Sequence, residues 1–278
     1  MSTTTSTTAT ALGRTWSPAT RYRRSLWLLT SRDLRVRYST SALGWVWSIL
    51  DPLLMAGIYW FVFTQVFQRG INHEPYIVFL MAALLPWTWF TGAIGDSTKA
   101  FTRDAKLIRS TTIPRSIWVT RIVLSKGIEF LLSLPVLALF IVASQFTSHP
   151  AVLNWQLVYF VPAIILQAVL TVGIGLIVAP LVVFFRDLER AVRLILRLAF
   201  YASPIIFSLD DLRRVHPAFE LIGSFNPLTG IMSLYRAGLF PKELDWFSIA
   251  ISAGMTVVLL MIGLLVFRRC LPAVLKEI

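Results

Sequence analysis

Charge is scarce in this sequence. Asp, Glu, Lys and Arg make up 14% of its 278 residues, where soluble globular domains carry about 25%, so a bilayer-crossing chain is expected rather than one large soluble core. Acid is scarcer than base: 14 Asp and Glu stand against 26 Lys and Arg, for a net charge of +12. Cysteine is nearly absent. Cys270 stands alone, which excludes an intrachain disulfide and a cysteine-ligated metal, and no metal site is expected. No G-x-x-x-x-G-K-[ST] pattern occurs, so any nucleotide hydrolysis belongs to another chain. D-x-D is missing too, and Glu74, Asp210, Asp211, Glu220, Glu243 and Asp245 are scattered, which counts against a polytopic glycan-transferring enzyme. The opening MSTTTSTTATALGRTWSP lacks the apolar core of a cleavable signal. It reads as a disordered Ser/Thr-rich tail over residues 1–20, ahead of a single transmembrane domain over 21–278 whose first span is an uncleaved anchor.

What the chain has in excess is apolar surface: 56% hydrophobic residues and a mean hydropathy of +0.70. A helical span needs about 20 mainly apolar residues. Runs at about 45–67, 75–96, 117–146, 155–185, 191–209 and 246–267 predict an all-α polytopic protein with six transmembrane helices. With six spans, 21 of the 26 Lys and Arg fall on the side that holds both termini. Positive residues favour the cytoplasmic face, so both termini are expected in the cytoplasm. That accounts for the basic excess without nucleic acid; membrane lipids are the expected surroundings.

The stretches between the spans carry the chemistry. Tyr22 to Tyr38, with Arg32 and Arg35, reads as an interfacial amphipathic helix. It runs to a turn at Leu43-Gly44 and directly into the first span, which contains Asp51-Pro52. An ionisable group inside a span is expected to face protein or water. Lys99, Arg103 and Lys106 recur at i, i+4, i+7 opposite Phe101, Ala105 and Ile108, and Arg109 follows. The spacing predicts an amphipathic helix, ended before Pro114, that either docks a soluble partner or lies in the headgroup layer. Arg186, Arg190, Arg193 and Arg197 form one stripe down a helix, suited either to snorkelling toward headgroups or to lining a path for an anion, since guanidinium pairs bidentately with phosphate. On the outer side, Ala218 to Phe240 is two short amphipathic helices broken at Asn226-Pro227, each too short to span. Tyr59, Trp60 and Phe63 in the first span, with Trp87 and Phe90 in the second, either pack between helices or offer faces on which sugars stack.

Four segments together resemble one family: Arg32 to Leu54; LIRSTTIPR over 107–115; Phe185 to Ile205 with its Phe-Arg-Asp and Ser-Pro-Ile; and NPLTGIMSLYR over 226–236. In order and with this topology, they resemble the membrane subunit of type-2 ABC exporters, in particular those for polysaccharides such as O-antigen, teichoic acid and cell-wall galactan. The resemblance implies a homodimer around a central channel, served by two copies of a separate ATPase subunit that binds ATP and Mg. It implies a coupling segment at Lys99 to Arg109 (with Phe101, Arg103 and Lys106), supported by Arg32 and Arg35. It further implies an entrance for a lipid-linked glycan at Leu43 and Gly44 and an external gate that includes Asn226, Pro227, Tyr235 and Arg236; of the arginine stripe, Arg190, Arg193 or Arg197 is expected to guide the diphosphate near that entrance. An exporter of a drug or simple lipid is the alternative on the same architecture. Arginine outnumbers lysine 21 to 5, which with the tail points to a cell-wall galactan as cargo.

Overall fold

The computed structural model describes residues 18–39, 43–62, 75–147 and 149–277, and among these every regular element is helical. Helix α1 spans Pro18–Ser39, α2 Trp47–Trp60, α3 Tyr76–Ser97, α4 Ala105–Ser110, α5 Ile117–Ser144, α6 Phe160–Phe184, α7 Leu188–Ala202, α8 Leu209–Val215, α9 Pro217–Ser224, α10 Thr229–Ala237 and α11 Trp246–Glu277. Four segments are long and apolar enough to cross a bilayer: α3, α5, the stretch Trp155–Phe184 that ends in α6, and α11.

Helix α3 is the central post. Every residue from Val78 to Leu85 is buried, as expected of a helix that is apolar all round rather than on one stripe. Against it pack α5, α6, α10 and, more loosely, α2 and α7. The closest pairing is α6 with α11, and glycine makes it possible: a Cβ on Gly263 would lie 2.3 Å from the Gly173 carbonyl oxygen, and one on Gly173 would lie 2.9 Å from the Leu260 backbone. Lipid supplies no hydrophobic drive for helices to associate, so such small-residue contacts carry the association.

The charged helix expected at 22–38 is α1, which packs along α5 and donates a Tyr22 hydroxyl hydrogen bond to Thr120 Oγ1 at 3.4 Å. Gly44 takes a positive φ of 46°, a conformation a side chain disfavours, and opens a 3₁₀ turn over Gly44–Val46 that feeds α2. Helix α2 has 14 residues, and the far end of the expected first span, with Phe63, lies outside the described residues.

Two expected helices are shorter in the structure. The expected span at 191–209 is helical only as α7, whose 15 residues reach about 22 Å, short of the roughly 30 Å hydrocarbon core. Pro204 follows Ser203, which is extended at φ −102°, ψ 149°, because the residue before proline is pushed out of the helical region. The expected helix over 99–109 is a series of turns from Thr98 to Asp104 followed by the six-residue α4. Asp104 stands where an N-cap would, but its carboxylate makes no cap because it is bound to arginines instead. The segment over 218–240 matches its expected break: α9 and α10 flank Asn226-Pro227, and Asn226 donates to Ala202 O at 3.2 Å and to Ser203 Oγ at 2.9 Å, tying the break to the end of α7.

Candidate functional site

Charges that the sequence scatters along the chain meet in one region. Arg121 of α5 is buried, with its guanidinium 4.8 Å from the Trp118 ring centroid. It donates from Nη1 to Asp33 of α1 at 2.8 Å and from Nη2 to Asp104. Arg32 of α1 reaches the other oxygen of Asp104 at 3.0 Å. Three segments are thereby pinned together: α1, the 98–104 turns and α5. Burial alone would raise Asp104, but Arg121 and Arg32 outweigh it and hold the carboxyl below its ordinary value. For Asp33 burial wins over Arg121, and its pKa is raised. A second tether leaves the same turns: Lys99 pairs with Glu189 of α7 at 3.2 Å, and Glu189 also accepts from Arg193.

These turns border a charged cavity of about 350 Å³ that also includes Arg37, Asp96 and Ser125. A larger cavity, about 1120 Å³, opens between α2, α3, α5 and α7. Its wall is mostly apolar and aromatic, with Trp47, Tyr59, Trp87, Trp89, Phe130, Phe200 and Tyr201, and it carries the charges Arg37, Asp51, Lys126, Glu129 and Arg197. Arg37 lines both cavities. Its two terminal nitrogens donate to Glu129 at 2.6 Å and Asp96 at 2.9 Å, while Lys126 Nζ lies 3.0 Å from Glu129 and 3.8 Å from Asp96.

The aromatic wall continues into the body. Trp89 stacks on Phe130 at 5.3 Å between centroids, and Phe130 and Phe160 both meet Tyr235 of α10 edge-on, at 5.8 and 4.8 Å. Helix α10 is buried along its whole length. Its Arg236 lies 3.5 Å from the Phe79 ring centroid and donates to the carbonyls of Ile205 at 2.7 Å and Phe79 at 3.3 Å. Burial lowers Arg236 to about 10, with Glu243 beside it opposing the shift, and raises Glu243 to about 7.

The sequence-derived site residues divide accordingly. Tyr59 and Trp87 line the large cavity, and both rings meet Phe200 of α7, with centroids 6.4 Å away for Tyr59 and 5.7 Å for Trp87. Trp60 is exposed, and Phe90 is buried behind Trp87. Of the arginine stripe, Arg197 lines the cavity, whereas Arg190 and Arg193 do not. Lys99, Arg103, Lys106 and Arg109 are exposed as a docking face requires, as is Arg35. Phe101 is not on that face: it is 1% exposed and packs on Phe267 at 6.0 Å, anchoring the turns instead. Leu43 is exposed beside Gly44. Tyr235 and Arg236 are core residues rather than surface ones. Among the described residues no group of three or more His, Cys, Asp or Glu could hold a metal, and Asp211 instead caps α8 in a reciprocal pair with Ser208.

Sequence reading passed over Arg37, Asp96, Arg121, Lys126 and Glu129. A signal was there. Three of them interrupt the apolar run of α5, and an ionisable side chain inside a span is by default a functional candidate.

Comparison with known proteins places the chain among membrane transport proteins. The family model described as "ABC-2 type transporter" matches residues 24–240. The chain is 35% identical over 243 residues to an O-antigen export system permease protein RfbA of Klebsiella pneumoniae, covering 87% of this chain and 90% of that protein. It is 30% identical over 240 residues to a protein of the same name from Myxococcus xanthus, covering 86% and 89%. It is 25% identical over 245 residues to the polysialic acid transport protein KpsM of Escherichia coli, covering 85% and 90%.

Proposed function

We propose, from the premise that this chain belongs to the ABC-2 type transporter family, that it is the membrane subunit of an exporter moving a lipid-linked polysaccharide out of the cytoplasm. The observation that carries this reading is the cavity of about 1120 Å³, walled by aromatic faces and bordered by charged groups. A sugar polymer on a diphosphate carrier cannot enter hydrocarbon, where each unpaired polar group costs several kcal/mol. A wall of aromatic rings with water and a few cations accepts both its parts. The relatives named for O-antigen export and polysialic acid transport support a polysaccharide as cargo. The finer reading, a cell-wall galactan, rests on the arginine-rich, Ser/Thr-tailed composition.

Two copies would enclose the path. The exposed apolar residues of α2 (Leu54, Met55, Ile58) and α7 (Leu194, Ile195, Leu198) are the faces a second copy would cover, with α7 and its flanking residues completing the sixth crossing and both termini cytoplasmic. A separate ATPase subunit, binding ATP and Mg, would dock on Lys99, Arg103, Lys106 and Arg109. The two tethers from the 98–104 turns, one to α1 and one to α7, would carry its movement to elements bordering the cavity. Leu43 and Gly44 would form the entrance, and α9 and α10 the outer gate. The test is to purify the chain with the ATPase that accompanies it, reconstitute the complex, and add lipid-linked glycans and hydrophobic drugs separately. Acceleration of ATP hydrolysis by a glycan-lipid is expected. Acceleration by drugs alone, or transport by this chain without an ATPase, would overturn the reading.

A further inference from the structure

The arginine stripe of α7 puts only Arg197 at the large cavity. Two other cations line it, Arg37 of α1 and Lys126 of α5, and both are held by carboxylates. Arg37 bridges Asp96 and Glu129 at 2.9 and 2.6 Å, and Lys126 lies 3.0 Å from Glu129 and 3.8 Å from Asp96. The four charges cancel. None is deeply buried: the Arg37, Asp96, Lys126 and Glu129 side chains retain 33%, 39%, 19% and 16% of their exposure. Ion pairs this open to solvent are individually weak. A diphosphate brings more charge than a carboxylate and matches the guanidinium fork in the same bidentate way. It can therefore take these cations from their acids without stranding a charge in a dry core.

We propose that Arg37 and Lys126 are the phosphate-binding groups of the large cavity, and that Asp96 and Glu129 are the carboxylates that a bound phosphate displaces. The proposal rests on the reading of a diphosphate-linked cargo. It adds a consequence: Asp96 stands in the last turn of α3, directly before the Thr98–Asp104 turns, so its release reports loading to the segment proposed to meet the ATPase. Arg37 lines both cavities, so the exchange also occurs where the charged cavity adjoins the aromatic one.

The experiment uses the full chain in nanodiscs of neutral phosphatidylcholine, with radiolabelled farnesyl diphosphate, farnesol and inorganic pyrophosphate as probes. Wild type is expected to bind farnesyl diphosphate more tightly than farnesol. Arg37→Gln and Lys126→Gln should each weaken the diphosphate by about tenfold or more, the usual worth of a hydrogen bond to a charged group, with farnesol unaffected. Arg37→Lys should restore part of the loss. Asp96→Asn with Glu129→Gln should tighten the diphosphate, a gain that misfolding cannot produce. Pyrophosphate following the same variant pattern supports a site for the headgroup itself, and a pattern confined to farnesyl diphosphate supports one needing the lipid chain. If wild type prefers the diphosphate but these variants leave the preference unchanged, or the acid-to-amide pair weakens it, the site falls and the cargo reading stands. If wild type shows no preference over farnesol, both fall.

Discussion

Arg121→Met tests the junction that joins α1, the 98–104 turns and α5. The Arg121 side chain is 3% exposed and binds Asp33, 25% exposed, and Asp104, 10% exposed. Removing one partner of a buried pair costs about 3–5 kcal/mol, because a charge is left uncompensated. Two features reduce the figure here: Asp104 keeps Arg32 at 3.0 Å, and Asp33, already raised by burial, can take up a proton. The expected loss is therefore about 2–3 kcal/mol, or roughly 5–10 °C in melting midpoint at the usual 2–4 °C per kcal/mol. The pH dependence has a definite sign. In the wild type Asp104 is held low, so its contribution is present above the ordinary carboxylate range and is lost as pH falls through the folded value. In Arg121→Met, Asp33, already raised by burial, loses the cation that most opposes the rise and moves further up. Its native state then binds a proton more readily, and the variant should regain stability as pH falls toward the ordinary carboxylate range. Tryptophan-fluorescence melts in nanodiscs read the midpoint, and hydrogen exchange over α1 and the 98–104 turns locates the loosening. Adding Asp33→Asn and Asp104→Asn should recover most of the loss, since a buried charge set removed whole costs far less than one broken. A melt for Arg121→Met within about 0.5 kcal/mol of wild type, the range of ordinary surface substitutions, would refute the reasoning.

Gly263→Ala puts a Cβ 2.3 Å from the Gly173 carbonyl oxygen and should cost about 1–3 kcal/mol as overpacking. Gly254→Ala on the same helix meets nothing within 4 Å and should be neutral or gain up to about 1 kcal/mol from helix propensity, both read by the same melts. Glu243, raised to about 7 chiefly by burial, with Asp210 and Asp211 adding to the rise and Arg236 opposing it, contributes stability at acidic pH that is lost as pH rises through about 7. Glu243→Gln should flatten the change in melting midpoint between pH 6 and 8, and an unchanged slope would count against burial of Glu243 as the source of its raised pKa.

The helical, membrane-crossing character of the chain and the break at Asn226-Pro227 were legible because each rests on a local property. Mean hydropathy over about 20 residues decides a span, and proline disfavours helix at the residue before it, enough to break a short amphipathic segment such as the one at Asn226-Pro227. The same locality explains the misplacements. The i, i+4, i+7 pattern at Lys99, Arg103 and Lys106 marked the exposed face correctly, but could not show that Phe101 is held by Phe267 and Asp104 by Arg121, contacts that replace a continuous helix with turns. Arg190, Arg193 and Arg197 share one face of a helix, yet only the rotation of α7 against α3 decides that Arg197 reaches the cavity. Arg37 meets Asp96 and Glu129 across 59 and 92 positions of chain. Composition and periodicity thus determined that the protein is a bundle of helices for a bilayer, since both are sums over neighbouring residues. Which charges neutralise one another, and where a cavity remains, depended on how separate helices are turned and spaced, and tertiary packing alone decides that.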